Sequence, residues 1–133
     1  TERFSMKKFI ATIVLTIFSF LPVYAADWKE IQPKNYIDAT SITWKKDVVS
    51  FWMKSLNPGT WSSVNNKKVW YVKDYILIDC KSKKLAYQSS IYYDMKGQLI
   101  NSFDVENDSL LEWQRVVPET NGEVWYQTFC QSK

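Results

Sequence analysis

Cysteine occurs twice in these 133 residues, at Cys80 and Cys130, and no other feature limits the fold so strongly. A bond between them closes a loop of about 50 residues and removes roughly 4 kcal/mol of unfolded-chain entropy. Whether they join depends on the compartment, and the front of the chain speaks to that. Lys7 and Lys8 precede an uncharged apolar run, Phe9 to Leu21, broken by Pro22 and followed by Val23-Tyr24-Ala25. This is the order of a secretory signal peptide, with Met6 as the initiator, residues 1–5 upstream of it, and cleavage after Ala25. The run is shorter than the roughly 20 apolar residues a membrane-spanning helix needs, so no transmembrane anchor is expected. An exported chain with an even cysteine count predicts a Cys80–Cys130 disulfide. Redox or catalytic thiols would want a CxxC spacing or a neighbouring base, and two thiols alone are too few for structural zinc.

Residues 26–133 then form a single domain of ordinary size. The whole chain has a formal charge of +3, and the leader, with Arg3, Lys7 and Lys8 against Glu2, accounts for most of it. A nearly neutral domain argues against nucleic acid, which asks for a clustered basic excess. All seven tryptophans follow the leader. Such a load of rings fills a core and leaves some at the surface, where amphipathic rings suit contact with proteins or sugars.

Short runs of β-branched and aromatic residues separated by turn residues predict strands. Ser41 to Trp44 and Val48 to Lys54 flank a polar turn at Lys45-Lys46-Asp47 and make a hairpin. Leu56 to Lys68, with Asn57-Pro58-Gly59 and Asn65-Asn66, reads as an exposed loop carrying Trp61. Val69 to Lys81, Leu85 to Asp94 and Leu99 to Val105 make a longer meander, in which Gly97 supplies the positive φ of a tight turn. At the end, Thr120 with Glu123 three residues on is a capping-box pattern, and Val124, Trp125, Thr128 and Phe129 fall at helical spacing. This predicts a helix over 121–131, with alternation through Val124, Tyr126, Thr128 and Cys130 leaving a strand as the rival. The expected fold is α+β: one antiparallel meander sheet of about four to six strands, a short C-terminal helix packed on it, and one disulfide.

The chain has no histidine, which removes the commonest general base and the usual metal ligand. With three glycines and no Gly-rich phosphate motif it has little means of cradling a nucleotide. Asp104, Glu106 and Asp108 read as a solvated acidic loop in preference to a glycosidase pair. No enzyme activity, cofactor or metal is expected. Lys67 and Lys68, beside the aromatic loop, and the cluster Lys81, Lys83 and Lys84 are solubilising turn charges or a surface for acidic partners.

The order Tyr36-Ile37-Asp38, Val48 to Trp52, Ile78-Asp79-Cys80, Tyr92-Tyr93-Asp94 with Gly97, Trp113 with Val117-Pro118, and Cys130 resembles the surface-adhesin protein E family over about residues 27–131. The resemblance implies an antiparallel sheet with a flanking helix, a disulfide matching Cys80 and Cys130, and a capacity to homodimerise. It also implies adhesion to host extracellular-matrix proteins such as vitronectin and laminin, and to plasminogen. The family's best-known adhesin is a lipoprotein, whereas this leader has no cysteine at its cleavage point, so no stable membrane anchor is expected. A periplasmic, secreted or cell-surface fate follows. The leading reading is a non-enzymatic protein-binding module of a Gram-negative bacterium, with Trp61, Lys67, Lys68 and Lys133 as candidate ligand-binding residues. Lys133 enters that set because a terminal lysine suits plasminogen's kringle pockets. The rival is a periplasmic inhibitor of a lysozyme-like enzyme, which would use the loop from Asn57 to Lys68 as its plug.

Overall fold

The computed structural model describes residues 25–56 and 63–131. Residues 1–24 of the expected leader, Trp61 and Lys133 lie outside the described residues. Strands β1 (Trp28–Gln32), β2 (Asn35–Asp38), β3 (Thr43–Lys45), β4 (Val48–Leu56), β7 (Tyr71–Asp79), β8 (Lys84–Tyr93), β9 (Leu99–Asp104) and β10 (Gln114–Arg115) form one sheet, and β5 (Ser63–Val64) and β6 (Lys67–Lys68) form a separate two-stranded ribbon. A helix, α1 (Asn121–Tyr126), runs into a π turn at Gln127–Gln131. The main path of the sheet is β1-β2-β4-β7-β8-β10, with β3 also paired to β4 and β9 also paired to β8. All pairings are antiparallel. The sheet therefore has six strands on its path, as the meander reading expected, and two appended strands bring it to eight.

The β3–β4 hairpin turns at Lys46, which takes a positive φ of 55°. Gly97 turns the β8–β9 hairpin at φ 77°, the role its lack of a Cβ suits. The segment read as a plain loop holds the β5–β6 ribbon, turned by Asn65 and Asn66, both at positive φ. Asparagine tolerates the left-handed region better than most residues, which is why the pair can stand where glycine is usual. The β1–β2 hairpin is a feature the sequence reading did not anticipate, because its turn residue at positive φ is Lys34.

Alternation along β4 and β7 sends Val49, Phe51, Met53, Ile76 and Ile78 to one face, where all are fully buried. The C-terminal segment closes over that face. The Phe129 ring stacks on Phe51 with centroids 4.4 Å apart, and Trp125 and Tyr126 complete the core. Thr120 caps α1, its hydroxyl accepting from the Glu123 amide, so the helical reading holds against the strand. Regular helix ends at Tyr126, five residues before the expected end, and Thr128 Oγ1 donates to the Val124 carbonyl inside the wider turn that follows. That turn carries Cys130 to Cys80, with the S–S bond formed and Cα atoms 5.5 Å apart. Gly122 lets the helix approach the sheet, since a Cβ there would stand 2.7 Å from Leu85 Cδ2.

Candidate functional site

Among the described residues, none forms a layer over the opposite face of the sheet. On β4 it presents Ser50, Trp52 and Lys54, and on β7 their direct partners Leu77, Tyr75 and Lys73, all half-buried against one another. Trp52 lies 5.2 Å from Tyr75, and Tyr71 stacks on Tyr93 at 4.5 Å. Between these ring pairs stand Lys54 and Lys73, directly opposite across the β4–β7 ladder.

Like charges so placed repel, and a sheet tolerates them only where something compensates. Here the compensation comes from rings. Trp28, on β1, lies 4.7 Å from Lys54 Nζ and 5.7 Å from Lys73 Nζ; Tyr36 flanks Lys54 at 5.8 Å and Tyr93 flanks Lys73 at 5.2 Å. A ring face attracts an ammonium without neutralising it. Among the described residues the one ion pair within 4 Å is Lys29–Asp27, so neither lysine is held by a carboxylate. Burial first, and the Lys73 charge second, hold the Lys54 ammonium below its ordinary pKa. Two carboxylates lie on this side of the sheet: Glu30, opposite Tyr36 and hydrogen-bonded with its hydroxyl, and Asp38, which feels the Lys73 charge. Burial pushes the Asp38 carboxyl upward, but donation from the Thr40 hydroxyl and from the Asp27 and Thr40 amides, helped by the Lys73 charge, outweighs burial and holds it low. Asp38 is thus committed to fastening the chain ahead of β1 and capping the 3-10 turn at Ala39–Ser41. The outer face can offer two concentrated positive charges and flat apolar area to an incoming group.

Of the residues singled out in the sequence, Lys67 and Lys68 fall elsewhere. Lys67 and Lys68, on β6, line a cleft of about 440 Å³ with Trp70, Met95 and Lys96. The Asp94 carboxylate in its wall accepts from the Lys96 and Gln98 amides and so serves the turn. Trp70, 39 % exposed, is the ring beside these lysines among the described residues. The outer-face set of Trp28, Lys54 and Lys73 was missed, although the period-two pattern of β4 and β7 carries the signal once their register is known. Cys80 and Cys130 are joined. Among the described residues no group of three or more Cys, Asp or Glu is placed to hold a metal ion.

A family model described as surface-adhesin protein E matches residues 28–131. The fold is similar to two crystal structures of Haemophilus influenzae protein E. One, in crystal form II, has TM-score 0.56 and 16 % identity, with 84 % of this chain and 91 % of that chain covered. The second has TM-score 0.54 and 18 % identity, covering 84 % and 88 %. A third, of protein E from a non-typeable strain of H. influenzae, gives TM-score 0.53 and 16 % identity, covering 83 % and 78 %. No curated protein matches the chain in sequence.

Proposed function

The chain belongs to the surface-adhesin protein E family, and from that premise we propose that it is an exported, non-enzymatic binding domain that takes an acidic segment of a protein partner on the outer face of its sheet. The observation that carries this reading is the cross-strand pair Lys54 and Lys73, set among Trp28, Tyr36 and Tyr93 with no carboxylate bound to either. Two adjacent ammonium groups leave a local charge that an acidic peptide would neutralise, and the rings give the contact its apolar area. The second basic cleft, at Lys67, Lys68, Lys96 and Trp70, offers the same combination at the end of the sheet.

By family, the partner is a host extracellular-matrix protein or plasminogen, with Trp61 and Lys133 as additional contacts and a homodimer as the assembled form. Export rests on the leader pattern at Lys7 to Ala25, and the fate of the processed chain is the periplasm, the medium or the cell surface. The test is solid-phase binding of the protein to immobilised vitronectin, laminin and plasminogen at several salt concentrations. Saturable binding to at least one of them that weakens steeply with salt supports the reading. Nanomolar inhibition of lysozyme with no matrix or plasminogen binding would replace it with the inhibitor reading. Protection of the processed chain from external protease on intact cells would exclude host adhesion.

A further inference from the structure

The helix covers only part of the inner face. Toward the other end of β4 and β7 the sheet floor lies open as a cleft of about 600 Å³, and its lining is unlike the rest of the molecule. Antiparallel register places Met53, Asp74, Ser90 and Phe103 in one row across β4, β7, β8 and β9. Asp74 therefore sits on the floor among residues that belong to the core. It does so because β7 keeps an unbroken alternation through Val72, Asp74, Ile76 and Ile78, while the ladder's shift between Tyr75 and Ile76 is taken up by the extra residue Gln88 on β8. The Ser90 hydroxyl donates to Asp74 Oδ1. Trp125 forms a wall from α1, its ring edge-to-face with Tyr87 at 6.5 Å and its indole N–H donating to Gln32 at 3.2 Å. Tyr92 and Phe103 add two more rings, and Glu112 brings a second carboxylate to the lining.

Among the described residues two carboxylates and four rings line this space, and neither lysine nor arginine does, in a chain whose net charge is +3. A carboxylate largely withdrawn from water, with the Ser90 hydroxyl but no cation to pair it, is costly for a fold to keep. Ring faces and a carboxylate together are complementary to one chemical class, a cation on an aliphatic stem. We propose that the cleft binds an aliphatic ammonium group, with Asp74 as its counter-charge, Glu112 as the second acidic contact and the rings of Tyr87, Tyr92, Phe103 and Trp125 around its stem. The same chemistry arises in the side chain of a lysine borne by a protein and in a free polyamine.

Calorimetric titration of the protein with Nα-acetyl-lysine methylamide, with spermidine and with the uncharged Nα-acetyl-norleucine methylamide tests this, alongside the ¹⁵N-detected shift of the Trp125 indole N–H. Saturable binding of either ammonium probe, with the Trp125 signal moving and the uncharged probe silent, is the expected result. Tighter binding of the lysine amide would assign the site to a protein-borne lysine, and tighter binding of spermidine to a free polyamine. Asp74→Asn keeps the acceptor for Ser90 and should weaken the ammonium probe about tenfold or more, while Glu112→Gln, at a position outside the core, should weaken it severalfold. Equal binding of the uncharged probe, no binding of either ammonium, or unchanged affinity in both variants would overturn the proposal. Neither outcome bears on the outer face, which is tested by its own partner.

Discussion

Phe51 and Trp52 are neighbours in the chain and answer to different demands. Phe51 points to the covered face, is fully buried, and stacks on Phe129. Trp52 points to the opposite face and packs against its own layer, with Tyr75 beside it. The same alternation runs along β4 and β7: Val49, Phe51, Ile76 and Ile78 face the helix, while Trp52, Lys54, Lys73 and Tyr75 face outward. A side chain on the inner face is held by the helix, the sheet and the disulfide at once. One on the outer face is held only by its cross-strand neighbours, so substitution there costs little stability and that face is available for contact. The helix-covered part of the inner face thus carries the stability, and the outer face the proposed contact with a protein partner.

The sharpest way to break this division is through the staple. Replacing Cys80 and Cys130 with serine, or reducing the bond, should cost about 4 kcal/mol, read by denaturant unfolding with and without reductant. If the division holds, the Trp125 environment changes first. Next, Phe51→Ala should cost about 3 to 4 kcal/mol and Trp52→Ala about 1 kcal/mol or less, measured in the same denaturant series. Equal losses would show that the outer layer is part of the core.

Asp74 sharpens the comparison from the inner side. Burial, against the opposing pull of Ser90, raises its pKa from 3.8 to about 6. The folded state therefore holds a proton that the unfolded state releases near 3.8. Its contribution is fully present below that value and is lost as pH rises through about 6. The loss is about 2 to 3 kcal/mol by pH 7. Asp74→Asn should abolish that slope, so that its stability advantage over the parent protein grows between about pH 4 and 7 in thermal melts. A parallel pair of pH profiles would contradict the buried placement. Smaller again, Gly122→Ala should cost about 1 kcal/mol in the same melts, because its new Cβ meets the Leu85 methyl and that side chain must shift within the packed core.

Much of this architecture is legible in the sequence because it is local or covalent. The hairpin at Lys46, the turn at Gly97, the cap at Thr120 and the cysteine pair each announce themselves in a few residues. The β1–β2 hairpin does not, since Lys34 carries its positive φ without a glycine or asparagine to mark it. The early end of regular helix at Tyr126 is likewise silent, because the π turn is where Cys130 must reach Cys80. Surface chemistry was the least legible. Lys54 and Lys73 are 19 positions apart and meet only through register, and Asp74, Ser90 and Trp125 come from three elements. Adjacency in the chain had drawn attention to Lys67 and Lys68, which do share a cleft, but with Trp70.

The outer face carries the central claim, and reversing its charge tests that claim most directly. The double variant Lys54→Glu, Lys73→Glu, compared with the parent protein on the matrix or plasminogen ligand it binds, should lose at least about tenfold in affinity. Its melting temperature should stay within a few degrees of the parent's, because these side chains lie outside the core. Undiminished binding by a folded double variant would contradict the account.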